Sequence, residues 1–327
     1  MADAAPKVAW PGGRRFAFTI FDDTDYQTVD NGRPIYDLLT ELGFRTTKSV
    51  WTLAPDPPRP SAGATCADPG YAAWVRELLE LGFEIGYHGA SSDTSTRPRS
   101  EAGLARFEEL FERTPRAYAN HSGNREGMYW GESRLSGPRR RVYNFLTRYR
   151  RVGRFQGHDP SSPLFWGDLC AAKIDYVRDF VFDDVNTLRA CPAMPYADPE
   201  RPFVRRWFAG AEGATASAFL RTLSDANQDR LEREGGACIM YTHLASGFVE
   251  DGRVVPAVAR AMRRLANKGG WFVPVSTLLD HIAAQRGVTT LRPSDRARLE
   301  WRWLASSVRI RAASGVFLPR ALRRRVR

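Results

Sequence analysis

Two kinds of hydrophobic pattern alternate along the chain. Runs rich in apolar and β-branched residues predict eight strands, at 15–21, 45–53, 83–87, 116–120, 154–157, 179–182, 237–242 and 270–275. Segments in which apolar residues recur every three or four positions predict helices at 34–43, 71–82, 101–113, 217–234 and 255–269. This alternation indicates an α/β fold with a mainly parallel sheet. About seven to eight strands favour a distorted or incomplete TIM-like (β/α) barrel, assigned to residues 1–292.

The pattern changes after residue 292. Residues 293–327 are predicted to form a basic C-terminal tail in which Trp301, Leu304, Val308 and Ala312 share one helical face. One interpretation is that residues 301–327 contact an anionic membrane surface. The other is a helix packed on the barrel and followed by a disordered basic end.

Charge and composition narrow the function classes. The net charge is +11, and residues 301–327 carry eight arginines and no acid, which leaves +3 for the rest of the chain. A nearly neutral body argues against nucleic acid as a partner of the main domain. The four cysteines form no C-x-x-C pair and are expected to be reduced and buried. No apolar stretch has the length of a signal peptide or membrane span, so we expect a cytoplasmic protein, with peripheral contact at the inner membrane face as an extension.

Acids and histidines follow the predicted strands. In chain order they are Asp22 and Asp23, His88, His121, His158 and Asp159, Asp183 and Asp184, and His243. The carboxyl ends of parallel barrel strands share one rim, where such barrels carry their chemistry. A single histidine is more often structural, but imidazole and carboxylate groups together are the ligands of Zn²⁺ and similar metals. The pattern therefore predicts a metal-assisted hydrolase, with Asp25 interpreted as a solvated strand end.

Three motifs carry a family resemblance. TIFDDTD at 19–25 resembles the first motif of the polysaccharide deacetylase superfamily (carbohydrate esterase family four, NodB-homology), and EIGYHGASS at 84–92 resembles its second. CIMYTH at 238–243 resembles the late strand that ends in a catalytic histidine. The likeness spans roughly residues 15–280 and implies a distorted β/α barrel. It also implies that Asp23 binds a metal, most simply Zn²⁺, that Asp22 is the base and that His243 protonates the departing amine.

The chain departs from the family at the second motif. The family has a second histidine four residues after the first, and this chain has Ser92 there. We expect His121 to complete a metal triad with Asp23 and His88. The open alternatives are Asp93 or water as the third ligand, or no metal at all.

The expected chemistry requires that the base faces the site and that His243 is protonated. Adjacent strand residues point to opposite sides, so Asp22 and Asp23 can both face the site only if a turn or bulge begins there. Asp183 or Asp184, with Asp184 preferred, is expected to support a protonated His243 by charge and hydrogen bonding. The alternative is that both are solvated carboxylates at a strand end.

Two similar stretches, MYWGE at 128–132 and LFWGD at 164–168, fall in long predicted loops above the rim. Aromatic faces stack on sugar rings and acids bind hydroxyls, which indicates a saccharide cleft. The expected substrate contacts are Asn124, Tyr129, Trp130, Asp159 and Trp166. One of the two tryptophans is expected to pack its loop onto the barrel instead, and Trp130 is preferred as the ligand contact.

These interpretations predict a metal-dependent hydrolase that removes an N-acetyl or similar acyl group from a sugar or saccharide, in cell-surface polysaccharide or glycolipid metabolism. Two alternatives stay open. One is a hydrolase of other non-peptide C–N bonds. The other is an inactive saccharide-binding barrel, favoured by Ser92 and opposed by the retention of Asp22, Asp23 and His243, because a binding module needs no base, ligand and acid together.

Overall fold

A closed barrel of seven parallel strands forms the centre of the protein. The computed structural model describes residues 8–59 and 62–313. The strands, numbered along the chain, are β1 Ala17–Asp22, β2 Thr47–Val50, β3 Glu84–Tyr87, β4 Ala117–Ala119, β5 Tyr176–Phe182, β6 Tyr196–Ala197, β7 Trp207–Gly213, β8 Ala237–Thr242, β9 Val249–Glu250, β10 Arg253–Val254 and β11 Thr289–Thr290. The barrel runs β8-β1-β2-β3-β4-β5-β7 and closes through pairing of β7 with β8. The predicted distorted TIM-like barrel is confirmed.

Helices cover the outside of the barrel. They are α1 Val29–Glu41, α2 Pro69–Glu80, α3 Arg97–Phe111, α4 Gly137–Leu146, α5 Gly167–Lys173, α6 Thr187–Ala190, α7 Ala216–Thr222, α8 Asp225–Glu234, α9 Pro256–Asn267, α10 Val275–Arg286 and α11 Pro293–Ala313. Local signals explain their starts: Asp68 caps α2 by accepting from the N–H groups of Gly70 and Tyr71, with Pro69 at the first helical position. Because helices cover the sheet, the barrel strands are buried along nearly their whole length.

For the barrel, the strand prediction is wrong at three places. Residues 154–157 form loop, and 270–275 contribute only an isolated bridge between Ala17 and Trp271. The barrel strand β7 was not predicted, because its sequence WFAGAEG is rich in small residues that rarely favour strands. A Cβ at Gly213 would lie 2.6 Å from the Met240 sulfur, so glycine there allows the close approach of β7 and β8 that closes the barrel.

The described part of the predicted tail packs on the barrel. Leu299, Trp303 and Leu304 of α11 are buried, whereas Trp301 and Val308 of the predicted apolar face are exposed. Residues 293–313 therefore pack against the barrel, the domain boundary at 292 stays a prediction, and residues 314–327 lie outside the described part. Among the described helices, none is long and apolar enough to cross a membrane.

Candidate active site

A cavity of about 340 Å³ opens at the carboxyl ends of the barrel strands. Its polar lining includes Asp23, Asp25, His88, His121 and His243. The first four follow β1, β3 and β4, and His243 follows β8, so each lies where its strand ends. Strand ends that are far apart in sequence thus bring acids and histidines to one rim, as the spacing predicts.

Asp25 lies at the centre of this cluster. Its carboxylate oxygens are 3.0 Å from Nε2 of His88 and 3.0 Å from Nε2 of His121, and Oδ2 is 3.6 Å from Nε2 of His243. Burial favours the neutral form of Asp25, but the hydrogen bonds with His121 and His88 outweigh burial and hold its pKa well below the usual range. The interpretation of Asp25 as a solvated strand end is wrong, since its side chain is the meeting point of three imidazoles.

The surroundings of His121 set its tautomer. Asn124 donates through Nδ2 to the Ser91 carbonyl and to Glu126, which leaves its Oδ1 to accept from Nδ1 of His121 at 2.9 Å. Nδ1 therefore carries a hydrogen and Nε2 is the nitrogen aimed at Asp25. Such an arrangement is the common support of a metal-binding histidine. Asn124 is buried and positions His121, which differs from its expected role as a substrate contact.

Asp23 is engaged by an arginine. Arg178, from the middle of β5, donates Nη1 to Oδ1 at 2.7 Å and Nη2 to Oδ2 at 2.6 Å, and both side chains are buried. Burial raises the pKa of Asp23, but the charges of Arg178, His88 and His243 and the hydrogen bonds from Arg178 together lower it by more, so the pKa lies below the usual range. The Nε2 atom of His88 is 3.9 Å from Asp23, compared with 3.0 Å from Asp25. Asp23 is thus an ionised carboxylate beside the histidines.

Asp22 lies away from the cavity. Its carboxylate accepts hydrogen bonds from Gln27, Tyr36 and the backbone N–H of Leu244, and Lys48 is 3.8 Å away. Burial raises its pKa despite the lysine. The structure thus places Asp22, the expected base, outside the cavity lining, because strand alternation points its side chain outward and the chain turns only after it.

His243 faces the cavity through Nε2, because its Nδ1 is 2.9 Å from the Ala214 carbonyl oxygen and carries the hydrogen of that bond. Asp184, the expected support of His243, forms its ion pairs elsewhere. Asp184 pairs with Arg189 at 2.7 Å and Arg230 at 3.3 Å, outside the cavity lining. Glu212 of β7 lines the cavity instead, and burial raises its pKa.

The predicted substrate contacts divide between cavity and core. Trp130 lines the cavity. Trp166 is fully buried and donates its indole N–H to the Glu126 carbonyl at 2.7 Å, so it is the tryptophan that packs its loop. Tyr129 is buried and stacks on His158 with ring centroids 4.4 Å apart. Asp159 bonds to Ser161 in an exposed turn, away from the cavity.

Within the second motif, the position four residues after His88 and the acid that follows it do not supply a ligand. Ser92 is buried, and its hydroxyl has no partner within the described ranges. Asp93 accepts from the Ser91 hydroxyl at 2.6 Å and lies outside the cavity lining, so it does not take the place of the missing histidine.

One group among the described residues has its ligand atoms close enough for a single ion, and a second set of ligand types overlaps it. Ligand atoms of Asp23, Asp25 and His243 lie within 4.8 Å of one another. The other group is Asp25 with His88 and His121, whose Nε2 atoms both point at the same carboxylate. The second group fits a metal better, because Asp23 already uses both oxygens on Arg178, and a second cation there would be repelled by the guanidinium.

Asp25, Arg178, Glu212 and the residues of α11 were missed by sequence reasoning. A signal existed for the first two. Asp25 is two residues after Asp23 and thus able to share its side, and Arg178 is a charged residue inside an apolar strand.

No protein-family model matches the chain, and no curated protein does. Among solved structures, PuuE allantoinase is similar, with 15% identity, a TM-score of 0.48 and coverage of 88% of this chain and 96% of that one. A probable polysaccharide deacetylase from Pseudomonas aeruginosa PAO1 has 15% identity and a TM-score of 0.47, with coverage of 87% of this chain and 96% of that one. A putative polysaccharide deacetylase from Mycobacterium smegmatis has 16% identity and a TM-score of 0.46, with coverage of 89% of this chain and 98% of that one. With all three TM-scores below 0.5, function has to be argued from the cavity.

Proposed function

We propose that the protein is a metal-dependent hydrolase that removes an N-acetyl or similar acyl group from a sugar, in cell-surface polysaccharide or glycolipid metabolism. The observation that carries the proposal is Asp25, faced by three imidazole Nε2 atoms beside a buried, ionised Asp23. Carboxylate and imidazole groups at this density are costly to bury unless a proton or a metal lies between them.

The proposed ligands are Asp25, His88 and His121. Burial lowers the pKa of His121, but the hydrogen bond and charge of Asp25 and the hydrogen bond with Asn124 raise it by more, so the pKa lies above its usual value. A proton on Nε2 would lie between His121 and Asp25, in the position that a cation would take. Binding a metal there would release the proton, so metal affinity should fall at low pH.

The remaining residues supply the proton chemistry. A divalent metal, with Zn²⁺ as the first candidate, would supply Lewis acidity to water and to the amide carbonyl. Asp23 accepts the proton of the attacking water, since a carboxylate has lone pairs beyond the two used by Arg178. His243 donates its Nε2 proton to the leaving amine. The water oxygen bonds to the acyl carbon as the amide C–N bond breaks, which gives acetic acid and the free amino sugar. The proton on Asp23 then returns to His243 through solvent, so atoms and protons balance.

This assignment moves the roles that the family resemblance implies. The resemblance places the base at Asp22 and the ligand at Asp23, whereas the geometry favours Asp23 as base and Asp25 as ligand. Each role thus moves to the next acid along the chain. The proposed metal ligand His121 likewise takes the place of the histidine that the second motif lacks.

The test combines metal analysis with acetate release from N-acetylglucosamine oligomers by chelator-treated and Zn²⁺-reloaded protein. Asp25→Asn should lose both metal and activity, and Asp23→Asn should keep metal but lose activity. Asp22→Asn, which keeps an oxygen acceptor for Tyr36, is the matched control and should keep both. Full activity after chelation would remove the metal from the mechanism, and full activity of Asp23→Asn would remove the proposed base. Turnover of a cyclic amide in place of the acetylated sugar would assign the same residues to the alternative C–N hydrolase.

A further inference from the structure

One wall of the cavity contains a buried arginine without an acidic partner. Arg134 is 6% exposed and lines the cavity, and its guanidinium carbon lies 3.9 Å from the Trp130 ring centroid and 4.4 Å from that of Trp303. Nη1 donates to the Asp179 backbone carbonyl at 3.3 Å, and Nε has no partner within the described ranges. No carboxylate oxygen of residues 8–59 and 62–313 lies within 4.0 Å of its nitrogens.

This environment is unfavourable for an isolated cation. Burial lowers the pKa of Arg134, and the charge of nearby Arg151 lowers it further, while Tyr143 and Asp179 act in the opposite direction. The Asp179 side chain is itself engaged by the Tyr196 hydroxyl at 2.8 Å. A buried guanidinium normally has an anionic partner, and the two stacked indoles provide only part of that stabilisation.

A second arginine approaches from α11. Arg311 lines the same cavity and forms no ion pair with any residue in the described ranges. Ser307, one turn earlier, also lines the cavity and offers a hydroxyl. The acids of the lining, Asp23, Asp25 and Glu212, follow or belong to barrel strands, as does Arg178, which is paired with Asp23. Arg134 and Arg311 lie outside the barrel strands, before α4 and on α11.

We propose that Arg134 and Arg311 form a subsite for an oxyanion of the substrate, a carboxylate or a phosphate carried by the sugar. The subsite rests on the proposed function, because it adds a substrate class to the same cavity. Arginine suits this role, since its planar fork binds both carboxylate and phosphate. Trp130 and Trp303 hold the guanidinium plane in a fixed orientation.

Hydrolysis of three N-acetylated sugars tests the subsite: the neutral methyl N-acetylglucosaminide, N-acetylglucosamine 1-phosphate and N-acetylglucosaminuronic acid. The wild type should prefer one or both anionic sugars in kcat/KM by roughly 10- to 100-fold, the range of a charged hydrogen bond. Arg134→Met, which keeps an unbranched apolar stem between the indoles, should remove the preference, because kcat/KM falls more for the anionic sugars than for the neutral one. Whichever anion is preferred identifies the source of the charge.

Arg311→Met gives a second variant should Arg134→Met fail to fold, and Arg298→Met on the exposed face of the same helix is the matched control. Equal rates on all three sugars, or an equal loss on all three in both variants, would overturn the subsite. Binding separates this result from failure of the proposed hydrolysis. Calorimetry with glucose 1-phosphate and glucuronic acid against methyl glucoside should show the same charge preference in protein that turns over none of the acetylated sugars.

An independent feature lies on the outer surface at α4 and the loop that follows. Exposed apolar side chains cluster there: Val142, Phe145, Leu146, Tyr149 and Val152. Phe145 is 72% exposed and Tyr149 is 64% exposed, values that stand out in a protein whose other aromatic side chains are mostly buried. Residues 133–158 contain no acid. We call residues 141–154 the Arg-rich surface.

The arginines of this surface lack acidic partners. Arg141, Arg148, Arg150 and Arg154 are exposed and form no ion pair with any residue in the described ranges, unlike Arg139 and Arg140, which pair with Glu300 and Glu132. Arg148 and Tyr149 both have left-handed backbone conformations, with φ of 52° and 57°. Two consecutive non-glycine residues in this region are costly and are typical of functional segments.

The Arg-rich surface, we infer, docks on an anionic lipid surface. Arginine complements headgroup phosphates, and the aliphatic Val142, Leu146 and Val152 favour the acyl boundary over a nucleic-acid backbone. This inference differs from the sequence-based expectation, which placed membrane contact in residues 301–327.

Sedimentation with phosphatidylglycerol-containing vesicles, against phosphatidylcholine alone, tests the inference. The full chain should bind only the anionic vesicles, and Phe145→Ser with Tyr149→Ser should abolish binding. Arg148→Gln with Arg150→Gln should weaken it roughly 30-fold. Replacing the five arginines of 314–327 by glutamine should leave much of the binding. Loss of binding in that last variant alone, absence of wild-type binding, or self-association through Phe145 seen by light scattering would overturn the inference.

Discussion

The Asp23–Arg178 pair gives the most quantitative prediction. Both groups are nearly inaccessible to solvent and are joined by two short hydrogen bonds. At an effective dielectric constant of about 20, unit charges about 4 Å apart attract by about 4 kcal/mol. Removal of one partner from a buried pair costs a similar amount, about 3–5 kcal/mol, because the other charge stays buried and unpaired. Arg178→Met should therefore lower the free energy of unfolding of the metal-free protein by that amount.

A double-mutant cycle measures the coupling. Urea unfolding of Asp23→Asn, Arg178→Met and the double variant, all with chelator, should give a coupling of at least about 3 kcal/mol, since the double variant leaves no isolated charge. The exposed Arg263–Glu41 pair, joined at 2.7 Å, is the matched control and should show little coupling. A buried coupling as small as that of the control would refute the reasoning. In a hydrolysis assay, the acid limb of kcat/KM should also move to higher pH in Arg178→Met, because the pKa of Asp23 is no longer held down.

Two more results are expected. Asn124→Ala removes the acceptor at Nδ1 of His121 and should weaken metal binding about 10- to 100-fold in a competition titration, and unchanged affinity would contradict the proposed tautomer. Burial lowers the pKa of His158 from 6.5 to about 4, and the neutral ring accepts from the N–H of Tyr129. Below pH 6.5 the unfolded chain binds the proton first, so stability should fall between pH 6.5 and 4 by at most about 3 kcal/mol, less because the ring is partly exposed. Urea unfolding should show a smaller loss of stability over this pH range in His158→Gln than in the wild type. Identical dependence of stability on pH in the two proteins would refute the role of His158.

The sequence was informative where spacing alone decides position. Histidines at the ends of β3, β4 and β8 meet because parallel strands share one rim, and His88, His121 and His243 could be grouped without coordinates. His158 could not be judged in this way, because the strand predicted before it is a loop.

The assignment of the acids needed the third dimension. Asp22 and Asp23 are adjacent, so alternation separates them, while Asp23 and Asp25 can share a side. A family-like motif directed attention to the adjacent pair instead. Arg178 was not recognised as a site residue, because the strand was predicted to begin one residue after it. The position of α11 depends on long-range packing, such as that of Trp303 on Phe180, which no local pattern reports.

The polar cluster of the cavity and the wall formed by α11 lie in different parts of the chain. The acids and histidines that line the cavity all precede residue 244, whereas Trp303, Ser307 and Arg311 of the lining come from the last described helix. Changes in this one helix can alter which molecules enter the cavity while the polar cluster below stays the same. Substrate range can therefore diverge, in evolution or in the laboratory, by exchange of a short C-terminal segment, with no need to rebuild the barrel.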